Sequence, residues 1–316
     1  MPIKKKIAQS AEFFEREYMG HLYRDVHEGL FYENDSGRLF LNDCLDVMQE
    51  LEEESVDLIF ADPPYNIGKD RRWDCWSDMD EYVAWTERWV RAASRILKPS
   101  GTMYVCGFSE IIALCQAPAM KYFASCKWTI WSYRNKANLS NDWGRSHEAI
   151  LCFRKGKRFT FNVDDVRVPY NAHTLRYPQR AQGETSQYGG ATRHGRVWQP
   201  NPLGAKPRDV IDLPTTCNGM NEKTAHPTQK PEELVRKYIL ASSNEGDLVF
   251  DPFCGSGTTA VCCEELNRRF IACDICKEYL QWAVDRLERV THRETEYWIM
   301  LDRENAKRRE GIRTID

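Results

Sequence analysis

The stretch from Leu248 to Asp274 constrains the fold more than any other part of the chain. It reads as an apolar strand (Leu248-Val249-Phe250), a turn (Asp251-Pro252-Phe253-Cys254-Gly255-Ser256-Gly257) and a helix from Thr258 to about Leu266. A second apolar strand follows (Phe270-Ile271-Ala272-Cys273) and ends in Asp274. Buried strands joined through a helix lie parallel in one sheet. Glycines in the first turn let the backbone bend tightly and approach a ligand, and an acid 19 residues after Gly255 can accept hydrogen bonds from ribose hydroxyls. This is the layout of a nucleoside-bearing cofactor site. The competing reading is a plain strand-to-helix turn with a solvent-facing Asp274. The glycines do not follow G-x-G-x-x-G, and no Walker lysine is present, which disfavours NAD and ATP.

A second buried-type strand, Val56-Asp57-Leu58-Ile59-Phe60-Ala61, runs into Asp62-Pro63-Pro64-Tyr65, where the prolines must end any ladder or helix. Around it the pattern predicts a strand at Arg38–Leu41, a helix over Cys44–Leu51 and an amphipathic helix over 78–97, with Tyr82, Trp85, Trp89 and Ile96 on its apolar side. Pro99-Ser100-Gly101 reads as a turn before a strand at Thr102–Cys106. Strands are expected at Trp128–Trp131 and Ala149–Phe153, and a helix at Pro231–Ser242. Alternating strands and helices predict an α/β fold, a largely parallel sheet covered on both faces.

At 316 residues the chain is long enough for one large α/β domain or two small ones. No apolar run approaches the roughly 20 residues that span a bilayer. The basic start Lys4-Lys5-Lys6 lacks the apolar segment of a secretory signal. The twelve cysteines lie mostly in apolar segments, unlike a disulfide scaffold, and are expected to be reduced thiols of a cytoplasmic protein. Cys273 and Cys276 have zinc-like spacing, with Cys262 and Cys263 nearby. Because no second well-spaced pair follows, no metal is expected.

The net charge of −3 hides an asymmetry. Between Arg154 and Arg208 there are 11 Lys and Arg against 3 Asp and Glu, interleaved with Tyr170, Tyr177, Tyr188 and Trp198. A basic, aromatic, loop-rich segment suits a polyanion, with a merely solvated loop as the alternative.

These motifs together resemble the amino-group DNA methyltransferases that use S-adenosyl-L-methionine. Asp62-Pro63-Pro64-Tyr65 is similar to their catalytic D/N/S-P-P-Y/F tetrapeptide, and Phe253-Cys254-Gly255-Ser256-Gly257 to their F-x-G-x-G cofactor motif. Thr228-Gln229-Lys230-Pro231 is similar to their T-x-K-P segment, and Asn135 to Leu151, with Arg145 and His147-Glu148, to their N…R…HE element. The order, catalytic motif first and cofactor motif last, is that of the β group. The resemblance covers about residues 36–290. It implies a Rossmann-like methyltransferase fold with a loop-rich target-recognition insertion. The expected organisation is an N-terminal extension (1–35), a catalytic half (36–154), a target-recognition region (155–225), a cofactor-binding half (226–290) and a charged C-terminal helix (291–316).

By this resemblance the Asp62 side chain and the Pro63 carbonyl, held by Pro64, accept the two N–H bonds of an exocyclic amine, and Tyr65 stacks on the base. S-adenosyl-L-methionine is expected against Asp251, Phe253, Gly255, Gly257 and Thr258, with Asp274 on the ribose, Asp43 near the adenine, and Thr228 and Lys230 on the cofactor side. Asp43 also suits a helix N-cap. Trp73 and Trp76 read better as core than as pocket. DNA is the expected partner, with Arg176, Arg180, Arg193 and Arg196 as candidate contacts. Family members are often dimeric, so a homodimer is expected by resemblance, and a cognate restriction enzyme is the other protein partner it suggests. Asp62 favours adenine N6 as the target. Cytosine N4, an RNA or protein amide, and a catalytically dead DNA-binding protein are the alternatives.

Overall fold

The computed structural model describes residues 29–68, 74, 76–134, 141, 143–181, 197–217 and 219–290. The N-terminal extension up to residue 28, the charged C-terminal segment from 291, Trp73, Asn135, Tyr188, Arg193 and Arg196 lie outside the described residues. The described residues form two units. Residues 163–181 and 197–208 belong to one, and the remainder to the other.

The larger unit is built on a nine-stranded sheet. In chain order its strands and helices are β1 (Leu30–Glu33), β2 (Gly37–Leu41), α1 (Cys44–Glu50), β3 (Val56–Ala61), α2 (Met79–Ile96), β4 (Leu97–Gly107), α3 (Ser109–Ala119), β5 (Ser125–Ser132) and β6 (His147–Arg154). The smaller unit contributes α4 (Ala172–Arg176), β7 (Arg180–Ala181) and β8 (Val197–Trp198). The larger unit resumes with β9 (Val210–Asp212), α5 (Glu232–Ser242), β10 (Leu248–Asp251), α6 (Thr258–Glu265), β11 (Arg269–Asp274) and α7 (Lys277–Val290). The strand order is β1-β2-β11-β10-β3-β4-β6-β5-β9. The five strands from β2 to β4 are mutually parallel, and β1 and β6 pair antiparallel at either side of them. β6 and β5 pair antiparallel, and β9 lies parallel to β5.

Strand alternation splits the core into two layers. Ile59 and Ala61 of β3 join the apolar cluster that includes Val47 and Met48 of α1 and Trp89, Val90 and Ala93 of α2. Phe60 points the other way, its ring 5.8 Å from that of Tyr238 on α5. Helix α2 starts where Asp78 accepts the Glu81 N–H at 2.8 Å and buries Tyr82, Trp89, Val90, Ala93 and Ile96 at helical spacing. It passes into β4 without a loop.

Three local expectations are corrected. Pro99-Ser100-Gly101 is not a turn before the strand but lies within β4. The register passes from Val56↔Leu97 to Leu58↔Thr102, so β4 absorbs the extra residues as an irregularity beside a strand it continues to pair with. Leu30–Glu33, assigned to the extension, is an edge strand. Val210–Asp212, inside the expected recognition region, is the strand β9 that completes the larger sheet.

In the smaller unit, Val168 and Ala205 form a bridge with N–H···O distances of 3.0 and 2.8 Å. Arg167 bonds Asp164 and the Gly204 carbonyl, Asn171 caps α4, and the Tyr170 and Trp198 rings meet edge to face at 6.1 Å. Arg176 is exposed at the end of α4, and Arg180 lies on β7.

Candidate active site

Four adjacent parallel strands end on the same edge of the sheet, and each ends in an acid. β2 leads to Asn42-Asp43, β11 ends in Asp274, β10 ends in Asp251 and β3 runs into Asp62. A ligand crevice outside the carboxyl ends of parallel strands is the rule for open α/β sheets. Here the edge opens into a cleft of about 370 Å³. Asp43, Asp62, Pro63, Pro64, Tyr65, Thr228, Lys230, Asp251, Phe253, Gly255, Thr258 and Asp274 all line it. Gly257 supports it from behind as the left-handed residue (φ +81°) at the start of α6.

On one side of the cleft, the turn before α6 is held by acids. Asp251 Oδ1 accepts the Phe253 N–H at 3.0 Å. Asp274 accepts the Gly255 N–H at 2.8 Å through one oxygen and the Cys276 N–H at 2.8 Å through the other. Burial pushes the Asp251 carboxyl up to about 7, against the Thr259 hydroxyl and the Phe253 N–H that favour its charged form, and burial also raises Asp274. Arg286 of α7, itself buried, donates to the Ser256 carbonyl at 2.7 Å, to Thr258 Oγ1 at 3.1 Å and to Glu232 at 2.9 Å, pinning the turn from below. Asp43 is the N-cap of α1, accepting the Leu45 N–H at 2.8 Å, and also faces the cleft. The Phe253 ring packs on Trp89 and Trp85, 5.2 and 5.7 Å away.

On the other side, Asp62 sits in a cluster of charged side chains. Its Oδ1 accepts the Tyr65 hydroxyl at 2.7 Å, and its Oδ2 accepts Lys230 Nζ at 2.7 Å. Glu148, at the start of β6, closes the ring through its Oε2, 3.0 Å from the Tyr65 hydroxyl and 3.3 Å from Lys230 Nζ. Burial works against the Lys230 charge, but Asp62 and Glu148 outweigh it and raise the ammonium above the usual lysine range. Burial, reinforced by the two carboxylates, holds the Tyr65 phenol well above its ordinary value. The Tyr82 hydroxyl donates to the Pro64 carbonyl at 2.8 Å and anchors the proline pair. Lys230 also touches the cofactor-side helix, where its carbonyl accepts Thr258 Oγ1 at 3.2 Å.

Several cleft residues fell within or beside the sequence motifs without being assigned to the site. Glu148 was visible only as half of a motif. His226, whose imidazole burial pushes down to about 4, lies beside Gly255 and against the Tyr279 ring at 4.4 Å. Trp76 packs on Trp85 and Tyr82, 4.6 and 5.0 Å away, and lines the cleft as well, so it belongs to the aromatic cluster and to the pocket wall together. A strand-end crevice with a glycine turn on one side and a carboxylate-proline tetrapeptide on the other defines a methyltransferase-type site.

The comparisons agree with that class. Residues 56–285 match the family model described as DNA methylase, and the chain belongs to that family. It is 36% identical over 257 residues to the Type II methyltransferase M.HpaI of Haemophilus parainfluenzae, covering 79% of this chain and 74% of that protein. It is 34% identical over 267 residues to the DNA adenine methyltransferase YhdJ of Escherichia coli, covering 83% and 86%. The solved M1.HpyAVI-SAM complex superposes with a TM-score of 0.53 at 25% identity, covering 79% of this chain and 98% of that one.

Proposed function

We propose that this DNA methylase transfers a methyl group from S-adenosyl-L-methionine to the exocyclic N6 of adenine in DNA. One observation carries the reading: the Asp62 carboxylate and the turn at Gly255–Gly257 face the same cleft at the carboxyl edge of one sheet. The adenine assignment draws on Asp62 and on a relative named as an adenine methyltransferase.

The cleft fits the cofactor. About 370 Å³ is within the range that holds a ligand of that size. Asp274 accepts the Gly255 and Cys276 N–H groups through different oxygens and keeps lone-pair capacity for ribose hydroxyls. Asp43, Thr228, Asp251 and Phe253 would line the bound molecule, with Gly255 and Thr258 beside it and Gly257 shaping the turn from behind. When bound, the cofactor supplies an electrophilic methyl on a sulfonium. The protein's own task is to make a poor nucleophile attack. The amine lone pair is delocalised into the ring, so acceptors must draw the two N–H bonds aside. The Asp62 side chain and the Pro63 carbonyl are those acceptors, and preorganised acceptors of this kind act where positive charge develops. Tyr65 offers the base its ring. Direct transfer then depends on positioning, and the base must first leave the duplex stack.

The basic segment supplies the phosphate and base contacts, with Arg176, Arg180, Arg193 and Arg196 as its candidate residues. No helix among the described residues is long and apolar enough to cross a membrane, and we place the protein in the cytoplasm with its DNA. A homodimer and a restriction partner belong to the same proposal. Light scattering tests the first and co-purification the second. The deciding experiment is labelled methyl transfer to unmethylated duplex DNA followed by nucleoside mass spectrometry. N6-methyladenine is the expected product. N4-methylcytosine would overturn the base assignment, and no methylated base would overturn the reading. Asp62→Ala should abolish product while leaving cofactor affinity intact.

A further inference from the structure

We infer that Lys230 and Glu148 are positioning residues for Asp62: the lysine keeps the catalytic carboxylate an acceptor, and the glutamate holds both the lysine and Tyr65 against it. The inference rests on the methyl-transfer reading and deepens it. Lys230 is nearly buried, with 6% of its side chain exposed, and its ammonium sits 5.3 Å from the Tyr65 ring centroid and 5.9 Å from that of Trp131. Burying an ammonium is unfavourable unless it is paired. Here it bridges two carboxylates that come from distant strands, Asp62 after β3 and Glu148 in β6. The antiparallel pairing of β6 with β4, Gly107 opposite Ala149, brings Glu148 to the same sheet edge as Asp62.

The charge count explains the arrangement. Asp62, Glu148 and Lys230 together carry one net negative charge. Without the lysine, two carboxylates gathered around one tyrosine hydroxyl would repel each other, which favours protonation of one of them. A protonated Asp62 presents a donor to an amine that is itself a donor, and the acceptor geometry is lost. The other groups facing the cluster cannot replace the lysine: Arg145, the cation that acts on Glu148 from the preceding segment, is paired with Glu110. Cys106 at the end of β4 has its thiol pushed well up by burial, and His226 is pushed down toward its neutral form. Tyr65 and Tyr82 are neutral phenols, and Asp251 adds further negative charge when ionised.

The test is the pH profile of single-turnover methylation, with PCR-amplified genomic DNA as substrate, protein in excess, and N6-methyladenine read by mass spectrometry. Lys230→Met should move the acid limb up by about one to three pH units and regain rate at high pH. Glu148→Gln should move it down by about one unit and lower the plateau by no more than roughly tenfold, the size of a lost hydrogen bond. The double variant restores the net charge of the cluster, and its limb should return to between the two. Each variant is also checked for thermal unfolding and cofactor affinity, and the near-isosteric Glu148→Gln keeps the test open if Lys230→Met does not fold. Rates lowered with the acid limb unmoved, or both limbs shifted the same way, would mean that the cluster is structural and overturn the inference. Failure of the wild type to methylate DNA would instead overturn the underlying reading.

Discussion

Gly257→Ala probes the link between the cofactor turn and the core. Gly257 has φ +81° and ψ 23°, left-handed backbone that costs an alanine roughly 1–2 kcal/mol. A Cβ at this position would lie 2.5 Å from the Ala283 Cβ and 2.9 Å from its Cα. Both atoms belong to α7, and the second is backbone, so no rotamer change relieves the contact. The helix itself must move, and overpacking of this kind typically costs 1–3 kcal/mol. Together the two effects predict a loss of about 2–5 kcal/mol. Arg286, which pins the turn at Ser256 and Thr258, is three residues from Ala283 on the same helix, so displacement of α7 should also loosen the turn. Urea unfolding of the apo protein measures the first effect, and calorimetric cofactor affinity of the folded fraction the second. Adding Ala283→Gly removes the closer contact at the expense of about 1 kcal/mol of helix propensity. The double variant should therefore be more stable than the sum of the two single changes predicts. A loss below 1 kcal/mol for Gly257→Ala, or strict additivity with Ala283→Gly, would show that the turn is not packed on α7 in the way described.

Asp274→Ala should weaken cofactor binding by roughly 1–3 kcal/mol, about 5- to 150-fold in Kd, through lost hydrogen bonds and the release of the Gly255 and Cys276 N–H groups. An unchanged dissociation constant would remove Asp274 from the site. DNA affinity should fall steeply with salt, each neutralised phosphate adding about −0.9 to the slope of log K against log salt. Charge reversal of exposed Arg176 should make that slope shallower if the basic segment is the DNA surface.

Much of the parallel core was legible because its signals are local. Val56–Ala61 is an apolar run broken only by Asp57 and closed by two prolines, and Leu248–Asp274 carries strand, glycine turn, helix and strand in one uninterrupted stretch. What escaped depends on partners far along the chain. Leu30–Glu33 carries a buried glutamate that is tolerable only because Arg38, on the paired strand, meets it at 2.6 Å. Val210–Asp212 is three residues long and is a strand only because β5 is beside it. The site divides along the same line. The tetrapeptide and the glycine turn were readable as motifs. That Lys230, expected on the cofactor side, reaches Asp62 across 168 residues was not, because nothing local in the sequence ties a lysine at the head of α5 to carboxylates that only the sheet brings to it. Glu148 was visible as part of a motif, but its place beside Asp62 was not, for the same reason.

The acids that ring the cleft bear on substrate and product differently. Asp43, Asp62, Asp74, Asp251 and Asp274 line it, with Lys230 the compensating cation already committed to Asp62 and Glu148. S-adenosyl-L-methionine carries a sulfonium charge, which the demethylated product lacks. An acidic, partly enclosed cleft should therefore favour the donor over the product. Asp251 should make this preference depend on pH. Its carboxyl is pushed up to about 7, so it is mostly neutral at pH 6 and mostly ionised at pH 8. One additional anion in a partly solvated cleft is worth on the order of 1 kcal/mol to a nearby cation, or about fivefold in affinity. The ratio of product Kd to donor Kd should therefore rise about fivefold from pH 6 to pH 8. The α-amino and carboxyl groups common to both ligands largely cancel from that ratio. Asp251→Asn keeps an acceptor for the Phe253 N–H and should flatten the dependence. A ratio that is constant in the wild type, or that falls as pH rises, would show that Asp251 does not sense the methyl-bearing sulfur.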